Sequence, residues 1–94
     1  SDLKLSPNTL TLSCGERAVK MALKESQILE MLIKNKNRAI SKQQIIDKVW
    51  GYDSEAEENH VEVHISLIRK KIKKVKSKAS IKIIRGVGYI LKGD

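Results

Sequence analysis

Cysteine occurs once in this chain, as Cys14, and histidine twice, as His60 and His64. A single thiol excludes an internal disulfide, and so few soft ligands argue against a structural zinc site. No apolar run approaches the roughly 18 residues of a membrane span, and no signal-peptide pattern opens the chain. Length sets a further bound. The 94 residues make one domain, which buries about 60–65% of its unfolded surface and has no room for two lobes around a deep cleft. Hydrophobic residues make up 40% of the total, enough for a small core. The expectation is a soluble, cytoplasmic, basic domain without metal or cofactor.

What is abundant is positive charge: 19 Lys and Arg stand against 11 Asp and Glu, a net +8. Its distribution is uneven. Residues 1–58 hold nine basic and nine acidic side chains, whereas residues 59–92 hold ten basic ones and one carboxylate, Glu62. A neutral half joined to a strongly cationic third is the asymmetry of a polyanion-binding face. A lysine coat that only keeps the domain soluble is the alternative on charge alone.

Hydrophobic periodicity predicts the elements. Leu3–Leu5, Thr9–Leu12 and Ala18–Met21 alternate as short strands, with turn residues at Ser6-Pro7-Asn8 and Ser13-Cys14-Gly15-Glu16 between them. From Leu23 the period becomes helical, with Leu23, Ile28, Leu29, Leu32 and Ile33 as the apolar stripe and an end at Asn35–Arg38. A second helix follows Ser41, whose capping box is completed by Gln44; Ile45, Ile46, Val49 and Trp50 give its buried face, and Gly51 stops it. An acidic loop, Tyr52 to Glu58, leads into a third helix over about Asn59–Val75, with Val61, Ile65, Ile68, Ile72 and Val75 on one stripe. Ile81–Arg85 and Tyr89–Lys92 read as a hairpin around Gly86-Val87-Gly88. The order predicts an α+β winged helix-turn-helix: an N-terminal antiparallel sheet (1–22), a three-helix body (23–80) and a wing (81–92).

The third helix carries the candidate chemistry. Opposite its stripe project Asn59, Val63, Ser66, Lys70 and Lys74, flanked by Leu67, Arg69 and Lys73. The cations suit phosphates, and Val63 and Leu67 suit a thymine methyl or a sugar edge in a major groove. A snorkelling lysine face is the alternative. Arg85 at a protruding hairpin tip suits a narrow minor groove, or else a surface salt bridge. Enzyme readings are thin. His60-Val61-Glu62-Val63-His64 misplaces the carboxylate for a zinc-hydrolase helix, and Gly86-Val87-Gly88 lacks the third glycine of a phosphate loop. The reactivity of Cys14 stays open, with Glu16 and Arg17 pulling its acidity in opposite directions.

Four runs then carry a family resemblance: Glu25-x-x-Ile28-Leu29-x-x-Leu32, Ser41 through Val49-Trp50-Gly51, Val61-Glu62-Val63-His64-Ile65-x-x-Ile68-Arg69-Lys70-Lys71-Ile72, and Arg85-Gly86-Val87-Gly88-Tyr89. Along nearly its whole length the chain resembles the C-terminal DNA-binding effector domain of OmpR/PhoB-type response regulators. The resemblance implies a four-stranded N-terminal sheet, a third helix in the major groove and the wing in the adjacent minor groove. It implies that Arg85 enters the minor groove, that Arg69 and His64 touch phosphates, and that Tyr89 meets the DNA backbone. Trp50 matches an indole that reaches a phosphate, and is equally readable as a core aromatic. The loop bearing Tyr52, Asp53, Ser54, Glu55 and Glu57 matches a segment that can touch RNA polymerase; its carboxylates also suit repelling DNA. The resemblance further implies a phosphorylatable receiver domain absent from these residues, head-to-tail pairing of two copies on direct repeats, and an excised fragment that is monomeric alone. Three departures stand out. Ser66 and Leu67 lie where relatives carry longer polar residues and Asn59 where arginine is frequent, so direct readout is expected to be weaker or tuned to A·T-rich sites; Ala22 lies where a Thr or Ser cap is usual, at an expected cost of roughly 0.5–2 kcal/mol of local stability. Sequence-specific binding of promoter DNA is the leading expectation, and a winged-helix module for protein or RNA is the alternative.

Overall fold

Four-residue strands cannot bury an apolar face unaided, so the N-terminal segments pair with one another and lie against helices. The computed structural model describes residues 2–93. Strands β1 (Leu3–Ser6), β2 (Thr11–Cys14) and β3 (Arg17–Lys20) form an antiparallel meander in the order β1-β2-β3. Among the described residues this sheet has three strands, not the four the family resemblance implied. The second strand also begins two residues later than its alternation predicted. Leu10 takes a φ of 53° in the turn after Pro7, and its carbonyl accepts the Met21 N–H at 2.7 Å.

Three helices follow: α1 (Leu23–Lys34), α2 (Lys42–Val49) and α3 (Glu58–Lys74). In α1 the expected stripe holds at Ile28, Leu29 and Leu32, all fully buried, but Leu23 is 57% exposed at the first turn. Of the two asparagines predicted to end α1, Asn37 is left-handed at φ 68°, whereas Asn35 caps the helix at φ −115°. The capping box of α2 forms as predicted. The Gln44 N–H donates to Ser41 Oγ at 3.0 Å, and the Ser41 N–H donates to Gln44 Oε1 at 2.8 Å. Trp50, expected on the buried face of α2, is its half-buried C-cap, and Gly51 turns the chain away at φ 104°. Helix α3 begins one residue early. Val61, Ile65, Ile68 and Ile72 are buried along it, with Val75 just beyond its end.

The wing is β4 (Ser80–Ile84) paired with β5 (Gly88–Lys92). Its tip is Arg85-Gly86-Val87, so Gly88 belongs to the strand rather than to the turn. The Ile40 N–H donates to the Tyr89 carbonyl at 2.7 Å, and the Tyr89 N–H donates back at 2.9 Å. This bridge ties the wing to the connector between α1 and α2. One aliphatic core, including Leu12, Leu29, Ile45, Ile65, Ile81 and Leu91, joins sheet, helices and wing.

Candidate nucleic-acid interface

Ion pairs fix α3 against both other helices. Glu25, 3% exposed, accepts from Lys71 Nζ at 2.6 Å and from the Ala22 N–H at 2.9 Å. Burial pushes the Glu25 carboxyl up, but the Lys71 and Ala22 hydrogen bonds, with the Lys71 charge, outweigh it and hold it below the usual carboxylate range. On the other flank Lys42, in the first turn of α2, donates to Glu62 Oε2 at 2.7 Å. The N-terminus of α3 is closed by a histidine: the Glu57 N–H donates to His60 Nδ1 at 2.9 Å. Lys71, Lys73 and Lys74 gather in the last turn, where the helix dipole favours cations.

With α3 docked, its outward face presents Asn59, Val63, Ser66, Leu67, Arg69, Lys70, Lys73 and Lys74, all exposed. Val63 is 57% and Leu67 40% exposed, large apolar groups held in solvent. Between α3 and β4 runs a groove of about 710 Å³ that brings together Ser66, Arg69, Lys70, Lys73 and Tyr89. Asn59, Val63, Leu67 and Lys74 stand outside it, on the crest of the helix. Arg85 is exposed at the wing tip and lines a second hollow that reaches Ser41 and Lys42.

Tyr89 is 3% exposed: its ring belongs to the core and lines the groove from below, under Lys42 Nζ at 6.0 Å from the ring centre. Burial pushes its phenol up. Trp50 and His64 lie on the opposite flank of α3, edge to face with ring centres 5.3 Å apart. Lys24 Nζ stands 5.2 Å from the indole. The His60 carbonyl accepts from His64 Nδ1 at 2.7 Å, which leaves Nε2 as the outward nitrogen. The Trp50 indole N–H has no protein acceptor among the described residues and, since no buried side-chain polar atom is left unpaired there, it is open to solvent.

The α2–α3 loop projects Tyr52, 87% exposed, with Asp53, Glu55 and Glu57 also exposed, while Ser54 Oγ accepts the Ala56 N–H at 2.8 Å. Sequence reasoning missed Lys42, Glu62 and Lys82 as lining residues of the groove. Lys82 was findable, because it alternates outward between Ile81 and Ile83 on the wing strand. Lys42 was not, since its place depends on how α2 packs. Gly88 is the point where the wing backbone comes closest to the connector between α1 and α2. A β-carbon there would stand 2.0 Å from the Ile40 carbonyl oxygen. Burial, and then Asp2, push the Cys14 thiol up, which disfavours the reactive thiolate. No cluster of metal-ligating side chains occurs among the described residues, and no helix is long and apolar enough to cross a membrane.

Comparisons with known proteins agree with this geometry. Residues 15–91 match the family described as "Transcriptional regulatory protein, C terminal". The chain is 36% identical over 92 residues to response regulator MprA of Mycolicibacterium vanbaalenii, covering 98% of this chain and 40% of that protein. It is 34% identical over 90 residues to response regulator ArlR of Staphylococcus haemolyticus, covering 96% and 41%. The chain thus spans about two fifths of the length of these curated relatives. Among solved structures it superposes on the C-terminal domain of the nisin resistance regulator NsrR, with TM-score 0.83, 28% identity and 100% and 95% coverage. The AdeR DNA-binding domain, solved with an intercistronic region, shares the fold at TM-score 0.84 and 21% identity, with 100% and 97% coverage. With the family matched over most of its length and the winged helix formed, the chain belongs to the C-terminal DNA-binding effector domains of OmpR/PhoB-type transcriptional regulators.

Proposed function

We propose that the chain binds double-stranded promoter DNA sequence-specifically, with α3 in the major groove and the β4–β5 wing in the adjacent minor groove. One observation carries this reading: the cations of α3, the groove beside it and Arg85 at the wing tip form one positive face on an otherwise charge-balanced domain. In this reading Arg69, Lys70, Lys73 and Lys74 meet phosphates and set orientation. Asn59, Ser66, Val63 and Leu67 meet base edges, the last two through thymine methyls. Arg85 enters the minor groove, where narrowness concentrates negative potential. The Trp50 N–H turns toward a phosphate, His64 joins it as the doubly protonated imidazolium, whose Nε2 then also carries a proton to donate, and Tyr89 supports the groove floor beneath the backbone.

The wider assignment belongs to the same proposal. The domain serves as the cytoplasmic output of a response regulator, two copies bind head-to-tail on direct repeats, and the loop of Tyr52, Asp53, Ser54, Glu55 and Glu57 offers acidic groups to RNA polymerase. It carries out no catalysis. Selection from random duplex DNA tests the central claim. A recovered consensus is expected, on which Arg85→Ala weakens binding most at A·T-rich steps while Lys70→Ala weakens it about equally on all sequences. Equal affinity for recovered and random duplexes would leave only a non-specific cationic module.

A further inference from the structure

Among the described residues, five cationic side chains and a single carboxylate line the groove between α3 and β4. The carboxylate is Glu62, the one acidic residue between Asn59 and Lys92. It is not solvated freely. Its Oε2 holds Lys42 Nζ at 2.7 Å, and Glu58 Oε1 stands 4.0 Å from the same ammonium. The Lys42 side chain is 28% exposed and that of Glu62 52%, so the pair lies at the groove wall with its open side toward solvent. The hydrogen bond to Glu62 holds the Lys42 ammonium above the usual lysine range. Lys42 also lines the hollow that ends at Arg85. It therefore sits between the α3 groove and the wing tip, where a strand passing from one to the other must cross.

We propose that Glu62 is a built-in competitor for the DNA backbone, occupying Lys42 until a phosphate displaces it. A carboxylate and a phosphodiester oxygen are both charge-assisted acceptors for an ammonium, and a half-exposed ion pair contributes little net stability, so the exchange is close to balanced. Until the exchange occurs, the carboxylate repels the approaching backbone and Lys42 adds nothing to its attraction. A loosely held duplex gains no contact from Lys42. One seated deep in the groove does. Glu62 is thus a specificity-determining residue that lowers general affinity for polyanions, an inference that rests on the DNA-binding reading above.

The test measures binding of the 94-residue chain to one short mixed-sequence duplex across a salt series. Glu62→Gln is expected to tighten low-salt binding about fivefold and to steepen the log–log salt slope by roughly 0.9, the signature of one added phosphate contact. Lys42→Met should cost several-fold more in the Glu62→Gln background than in the wild-type chain, because only there has the ammonium lost its nearer carboxylate, with Glu58 remaining at 4.0 Å. Glu58→Gln, removing the more distant carboxylate, should give a smaller gain. Binding that Glu62→Gln leaves unchanged or weakens, or a Lys42→Met cost equal in both backgrounds, overturns this inference alone. A wild-type chain that holds no duplex at any salt overturns the DNA reading together with it.

Discussion

Gly88 and Glu25 are single residues on which the geometry of the interface depends. Gly88 has a φ of 153°, and a β-carbon there would stand 2.0 Å from the Ile40 carbonyl oxygen and 2.7 Å from Ser41 Cα. Backbone cannot retreat as a flexible side chain can. Gly88→Ala is therefore expected to cost about 3 kcal/mol or more in denaturant unfolding, combining backbone strain with a broken wing bridge. Glu25 tests a different force. Its carboxyl titrates below the ordinary 4.5 in the folded chain, so the stability it adds is fully present above that value and is lost as pH falls through the lower folded value. At neutral pH Glu25→Gln should cost about 1–2 kcal/mol, as for a lost charge-assisted hydrogen bond. The wild-type and variant stability curves should draw together as pH falls from the ordinary carboxylate range through the lower folded value; a gap that stays constant as the carboxyl becomes protonated would refute the assignment.

At the scale of elements, α1 and α2 offer a controlled comparison. Their N-cap residues have nearly the same backbone, φ −74° and ψ 158° at Ala22, φ −73° and ψ 157° at Ser41. Both accept help from the third helical residue, since Glu25 and Gln44 each bond back to the cap N–H. Only Ser41 returns a side-chain bond, to the Gln44 N–H. Ala22→Ser should raise the unfolding free energy by about 1 kcal/mol in chemical denaturation. What sequence reveals follows the same division between local and distant. The stripe of α3, the Ser41–Gln44 box and the wing hairpin were legible because each is settled by residues a few positions apart. The pairs that aim α3 join residues 46 and 20 positions apart, Glu25 to Lys71 and Lys42 to Glu62. No periodicity encodes such partners. The burial of Tyr89 and the exposure of Leu23 were hidden for the same reason, since both depend on which neighbour covers them.

For the molecule as a whole, charge and shape divide the work. The aliphatic core holds sheet, helices and wing together, while the excess charge lies on α3, the connector after it and the wing. Binding to duplex DNA should accordingly weaken steeply with salt, with a log–log slope of roughly −3 to −6 for about four to six neutralised phosphates. A flat response would instead indicate a surface evolved for protein contacts. The wing bridge adds a property of the whole that no single contact has. Because Tyr89 is hydrogen-bonded to Ile40 in both directions, and Gly88 leaves no slack beneath, the base of the hairpin is fastened to the connector between α1 and α2. The interval between the crest of α3 and the tip at Arg85 is then a fixed gauge. In the proposed binding mode a duplex would have to match that gauge in the spacing of its two grooves, so that the shape of the DNA contributes to selection alongside its bases.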